Sequence, residues 1–135
     1  MKNKISFKIY SVDGKSYCEE IDSIYLGVPD HGIIGLLPGH TPFTAMLHIS
    51  TFYIINSAKT TYFAISGGTI NFKNNEAIIL AQTYEKEDEL DKARIEKARD
   101  EALKILSQVT KNDKETYENA SFSLKKAINR LKLLK

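Results

Sequence analysis

Three histidines, His31, His40 and His48, are the residues of this 135-residue chain best suited to hold a metal. They stand nine and eight positions apart. No pair has the one-turn spacing that places two imidazoles on one helix face, and no cysteine or carboxylate motif accompanies them. Metal binding is therefore not expected. His40 follows a Pro-Gly pair, and its ring is expected to bond the backbone of its own tight loop. His48 is expected in a strand, in the core or at its rim. Ser16, Ser23 and Ser66 lack a G-x-S-x-G elbow, and Cys18 has no neighbouring motif to activate its thiol. A G-x-x-x-x-G-K-[ST] phosphate loop is also missing from the sequence. Catalysis by the isolated chain is not expected.

The elements that position these residues are written more strongly than any chemistry. Gly32-Ile33-Ile34-Gly35-Leu36-Leu37-Pro38-Gly39-His40-Thr41-Pro42 packs three glycines and two prolines around an apolar run. Glycine admits positive φ and proline locks φ, so the segment reads as a rigid loop, partly buried. The apolar content of 42% suffices for a core, and a net charge of +2 is too small for a nucleic-acid surface. A single cysteine excludes an internal disulfide and fits a reducing compartment. No apolar run approaches the roughly 20 residues that span a bilayer, and the N-terminus has no apolar secretion segment. A soluble, intracellular chain is expected.

The pattern divides at Tyr84. Before it, Ile5, Phe7 and Ile9 alternate with Lys4, Ser6 and Lys8, as in a strand with one buried face. Further strands are expected at 24–28, 43–49, 52–55, 60–65, 70–72 and 77–81. Asp13-Gly14, Asn56-Ser57, Gly67-Gly68 and Asn74-Asn75 punctuate them. Short strands rich in Ile, Phe, Tyr and Thr read as a β-sandwich or barrel. From Glu85 onward glycine and proline vanish and good helix formers dominate. Six lysines and six acids precede that point, against thirteen bases and eleven acids after it. Ile95, Ala98, Ala102, Ile105 and Val109 form one apolar stripe. Asn112 with Glu115 reads as a capping box for a second helix, carrying Tyr117, Ala120, Leu124, Ile128 and Leu131 on one face. The fold class is α+β: an antiparallel β-sandwich over 1–84, then an antiparallel two-helix hairpin over 85–135.

The glycine-proline run resembles the G-x-x-G-x-L-P-G-H-x-P loop of the epsilon subunits of rotary F-type ATP synthases. Ser66-Gly67-Gly68 resembles that family's S-G-G turn, and Glu89-Leu90-Asp91-Lys92-Ala93-Arg94 resembles the opening of its first helix. The order and proportions of the two halves agree over essentially the full length. The resemblance implies a non-catalytic rotor subunit on the cytoplasmic face of the membrane, attached only through the complex. Its partners would be the gamma subunit, the membrane rotor ring and the alpha/beta catalytic head. Gly32, Ile33, Gly35, Pro38, Gly39 and His40 would face the ring and gamma. The family's hairpin either folds beside the sandwich or extends along the shaft and blocks hydrolysis, and Lys125, Lys126, Arg130 and Lys132 would give it a positive regulatory face. No cofactor is required. Some relatives bind regulatory ATP through an I/L-D-x-x-R-A pattern, which points here to Leu90, Asp91 and Arg94. Ile95 replaces the alanine, however, and Glu101 stands where a further arginine is expected, so an intrahelical Asp91–Arg94 pair is the favoured reading. Ile33 also departs from the family, standing where many relatives carry an acid. A paralogue in a specialised F-type-like ATPase and a stand-alone ATP-sensing domain are the alternatives.

Overall fold

Ile5, Phe7 and Ile9 are fully buried, while the lysine and serine between them are only half-covered, so period-two patterning alone sets the first strand. The computed structural model describes residues 4–109 and 113–134. Eight strands come first: β1 (Ile5–Ser11), β2 (Ser16–Ile21), β3 (Ser23–Val28), β4 (Gly32–Leu36), β5 (Phe43–Asn56), β6 (Lys59–Lys73), β7 (Glu76–Ala81) and β8 (Tyr84–Lys86). A 3₁₀ turn at Glu87–Glu89 leads to α1 (Lys92–Gln108) and α2 (Lys114–Lys132). By internal packing the chain forms two units, Met1–Glu87 and Asp88–Lys135.

In the first unit the strands run in the order β2-β1-β7-β6-β5-β3-β4, with β8 also on β6. Every pairing is antiparallel except β1 with β7, which is parallel. The sheet folds over a core whose centre is aromatic. Phe52 and Phe63, paired across β5 and β6, stack at 4.7 Å, and Phe7 from β1 meets both edge-on at 6.0 and 5.7 Å. Because β1 is not a neighbour of β5 in the sheet, those contacts cross the interior, as a sandwich requires.

Several strands depart from the sequence reading. β5 and β6 run unbroken for 14 and 15 residues where two strands each were expected. Ala64 and Ser66 of β6 are buried as well, but its large core side chains are odd at Phe63 and Ile65 and even at Ile70 and Phe72. In β5 they change from Leu47 to Phe52 and Ile54. Both parity changes flank His48 and Gly67, which fall between the paired residues Leu47↔Gly68 and Ile49↔Ser66. The phase slip imitates a strand break. Ser66-Gly67-Gly68 is accordingly no turn but the bend within β6, where its partner changes from β8 to β7. Ser66 and Thr83 tie that bend through their hydroxyls, 2.5 Å apart. β2, β4 and β8 were not anticipated. β4 occupies half of the expected loop because Val28-Pro29-Asp30-His31 turns the chain back on β3.

The second unit is the expected helical pair, with a shifted interface. Ala102 on α1 and Ala120 and Ala127 on α2 are buried, and Leu106, Leu124 and Leu131 are half-buried. Ala98, Ile105, Tyr117 and Ile128, expected on the apolar stripes, are exposed. Asp113 is the N-cap of α2, its carboxylate accepting from the Thr116 N–H at 3.3 Å. The expected cap Asn112 lies outside the described residues. No helix among the described residues is long and apolar enough to cross a membrane.

Candidate functional site

Two proline turns bracket β4. His31 N–H donates to the Val28 carbonyl at 3.0 Å, and His40 N–H donates to the Leu37 carbonyl at 3.1 Å. Both carry proline at the second position and a residue of positive φ at the third, Asp30 (67°) and Gly39 (87°), the pattern of type II turns. The second turn is anchored from another part of the sheet: Gly39 N–H donates to the Asn75 side chain at 2.7 Å. Asn74 and Asn75, both at positive φ, close the β6–β7 hairpin, so one asparagine makes its own turn and holds its neighbour's. His40 completes the cluster. Its Nδ1 bonds the Thr41 carbonyl at 2.7 Å, as the sequence led us to expect, and its ring stands edge-on to Phe43 and Phe72.

The six residues assigned to partner contact thus fall on two adjoining pieces. Gly32, Ile33 and Gly35 lie in β4, and Pro38, Gly39 and His40 lie in the turn after it. Ile33 is 77% exposed and Leu37 51%, while Leu36 between them is fully buried. A second exposed apolar row went unread in the sequence. Tyr10, Leu80, Thr69 and Met46 sit side by side across β1, β7, β6 and β5, with Met46 70% exposed. Their signal is parity: each alternates with a core residue of its own strand. His31 and His48 are exposed, and among the described residues no three His, Cys, Asp or Glu side chains converge as a metal site.

The helical unit places its assigned residues differently from expectation. Leu90 precedes α1, and Asp91 is the N-cap, its carboxylate accepting from the backbone N–H of Arg94 at 3.3 Å. That contact replaces the expected side-chain pair, because a cap residue faces the open amides of the first turn. Glu101 lies in a groove between the helices, with Ala98, Ala102, Ile105, Thr116, Asn119, Ala120 and Ser123. The assigned basic residues do not make one face. At 100° per residue, Lys125 and Lys132 share one side of α2, and Lys126 and Arg130 lie about 100° or more away. Lys126 is further engaged, its ammonium 4.9 Å from the centre of the Phe122 ring.

Comparison with known proteins agrees with this two-unit architecture. Residues 4–87 match the ATP synthase delta/epsilon chain β-sandwich domain, and residues 88–135 match its long α-helix domain. The ATP synthase epsilon chain of Nitratidesulfovibrio vulgaris strain DP4 is 30% identical over 134 residues, covering 98% of this chain and 97% of its own. That of Desulforamulus reducens is 34% identical over 116 residues, covering 86% of each chain. Among solved structures, a chain of the Euglena gracilis mitochondrial ATP synthase (OSCP/F1/c-ring, rotational state 1) shares the fold at a TM-score of 0.81 and 17% identity, covering all of this chain and 84% of its own. With both domains matched in order and along nearly its whole length, the chain belongs to the ATP synthase delta/epsilon chain family, as an epsilon subunit of an F-type ATP synthase.

Proposed function

We propose that this rotor subunit acts mechanically: its sandwich couples the gamma shaft to the membrane rotor ring, and its hairpin restrains ATP hydrolysis. The chain itself does not catalyse, and it meets the membrane, on the cytoplasmic face, only through the complex. Gly32 to His40 is the part turned toward the ring and gamma. Rigidity supports that assignment, since two proline turns, the Asn75 anchor and the His40 bond hold the segment in one shape. A torque-bearing contact needs such stiffness.

The observation that carries the regulatory half is the set of uncovered apolar side chains on the hairpin. Leu103, Ile105, Tyr117, Phe122 and Ile128 are each 41–51% exposed although the helices pack on one another. At 100° per residue Leu103 and Ile105 lie on opposite sides of α1, and Phe122 lies away from Tyr117 and Ile128 on α2, so one partner covers two or three of them. At roughly 1 kcal/mol each when newly buried, these contribute about 2–3 kcal/mol, on the order of a hundredfold in a two-state population. A head-bound state of the hairpin is therefore within reach of modest contacts. ATP stands as an optional regulatory ligand at Leu90, Asp91 and Arg94. Those three residues do not line the groove between the helices, whose acid is Glu101.

The test is steady-state ATP hydrolysis by the alpha–beta–gamma head with the full chain or with residues 1–87, binding of each being confirmed in the same preparation. The expected result is turnover about tenfold lower with the full chain, about 1.4 kcal/mol in the barrier. Equal rates with both proteins bound would remove the hairpin from regulation and leave the coupling role.

A further inference from the structure

Among the described residues the strand path ends on β2 and β4, and these two end strands are built differently. β2 carries Glu19 and Glu20, and its flank is covered by other side chains. Asn56 Nδ2 donates to Glu19 at 2.8 Å, and the Lys86 ammonium sits 4.5 Å from the centre of the Tyr17 ring. Charge and cover are the usual means of keeping an edge from pairing. β4 has neither. Its sequence, Gly-Ile-Ile-Gly-Leu, holds no charge and no proline. Among the described residues, none of the turn and loop hydrogen bonds ends on Gly32–Leu36; its strand partner is β3 alone.

The edge is also stiff. Besides the turns at both ends, the Tyr25 ring lies over Gly35, its opposite number on β3, so closely that a Cβ on Gly35 would stand 2.8 Å from a ring carbon. Tyr25 in turn stacks on Tyr53 at 5.0 Å. Such a rigid, uncharged, open edge is a template for another strand. We propose that an extended, uncharged segment of a rotor partner adds to β4 as a further strand of the sheet, a reading that rests on the rotor function above.

The choice of occupant follows from size and charge. Five residues make an edge about 17 Å long. That is too little to hold a second copy, since a stable pair of chains buries about 1,200 Å² or more. A segment tethered to a partner already seated on the sandwich acts at high local concentration and needs no more. The outward positions beside the edge, Ile33, Tyr25, Gly27, Thr51, Tyr53 and Ile55, hold no charge, so a charged segment would lose its water without gaining a counter-ion.

Amide hydrogen exchange by mass spectrometry on the full chain, alone and assembled into the rotor, tests this. Assembly is expected to slow exchange in residues 32–36 at least tenfold and to leave residues 16–21 unchanged. Ile33→Lys, which changes a 77% exposed side chain, is expected to keep the far-ultraviolet spectrum and weaken assembly at least tenfold. Assembly with unaltered exchange in β4 would overturn strand addition while leaving the rotor reading intact. Failure of the chain to assemble would overturn both. Protection that appears in the chain alone and grows with its concentration would give the edge to a second copy and overturn the partner segment.

Discussion

Gly68 shows how one residue holds the sandwich in shape. A Cβ there would stand 2.2 Å from the Leu80 carbonyl oxygen and 2.9 Å from the Ala81 Cα, both backbone atoms of β7 that cannot swing aside. Gly68→Ala is therefore expected to lower stability by about 3 kcal/mol, the upper range for forcing extra atoms into a packed site. Urea unfolding followed by tyrosine fluorescence measures it; a loss under about 1 kcal/mol would mean that β6 and β7 separate easily at the bend. The sequence displayed the glycine pair but not its reason. Read locally, Ser66-Gly67-Gly68 is a turn, whereas the constraint comes from a carbonyl twelve residues away in the chain.

At the level of the element, α1 depends on Asp91, which caps its first turn. The same carboxylate is the one proposed to meet ATP, and two substitutions separate the roles. Asp91→Ala is expected to cost about 1 kcal/mol of helix stability, whereas Asn caps about as well as Asp. Asp91→Asn should therefore keep the helix signal at 222 nm while weakening any ATP binding measured by calorimetry. Unchanged affinity in that variant would remove the carboxylate from the ATP proposal. The second helix carries a related lesson. Its lysines and arginine look like one positive surface when counted along the chain, but their angular positions split them, so Lys125→Ala and Lys126→Ala report on different sides of the helix.

For the sandwich as a whole, a polar network joins parts distant in sequence. The Lys4 ammonium lies 2.6 Å from Asp22 Oδ1 and donates to the Asn56 side chain at 2.7 Å, and the Ser57 N–H donates to Asp22 Oδ2 at 2.7 Å. It ties the chain just before β1 to the end of β2 and to the β5–β6 turn. The hydrogen bond from Lys4, and then the one from Ser57, holds the Asp22 carboxyl below its ordinary 3.8. A depressed carboxyl contributes stability above its unfolded value and loses it as the pH falls through the folded one. Asp22→Asn is thus expected to be less stable than the parent at pH 7, with the gap closing between about pH 5 and pH 2. Thermal unfolding across that range checks it; a gap independent of pH would show that the network acts through shape and not charge.

The sequence by itself determined what depends on neighbours along the chain. The change from strand pattern to helix pattern, the helices, the alternation of β1, the Asn74-Asn75 turn and the bond from the His40 ring to its own loop all follow from local periodicity, turn chemistry and reach. Strand β8, however, carries the first unit on to Glu87. Tertiary structure decided what depends on residues far apart. β4 is a strand because a turn brings it to β3, and the parallel pairing of β1 with β7 has no local signature. β5 and β6 stay continuous because each is the other's partner along nearly its whole length, so hydrogen bonds between strands override a break in parity. The open edge of β4 is legible only once every other strand has found its place. A missing partner is a property of the sheet, not of the five residues that lack one.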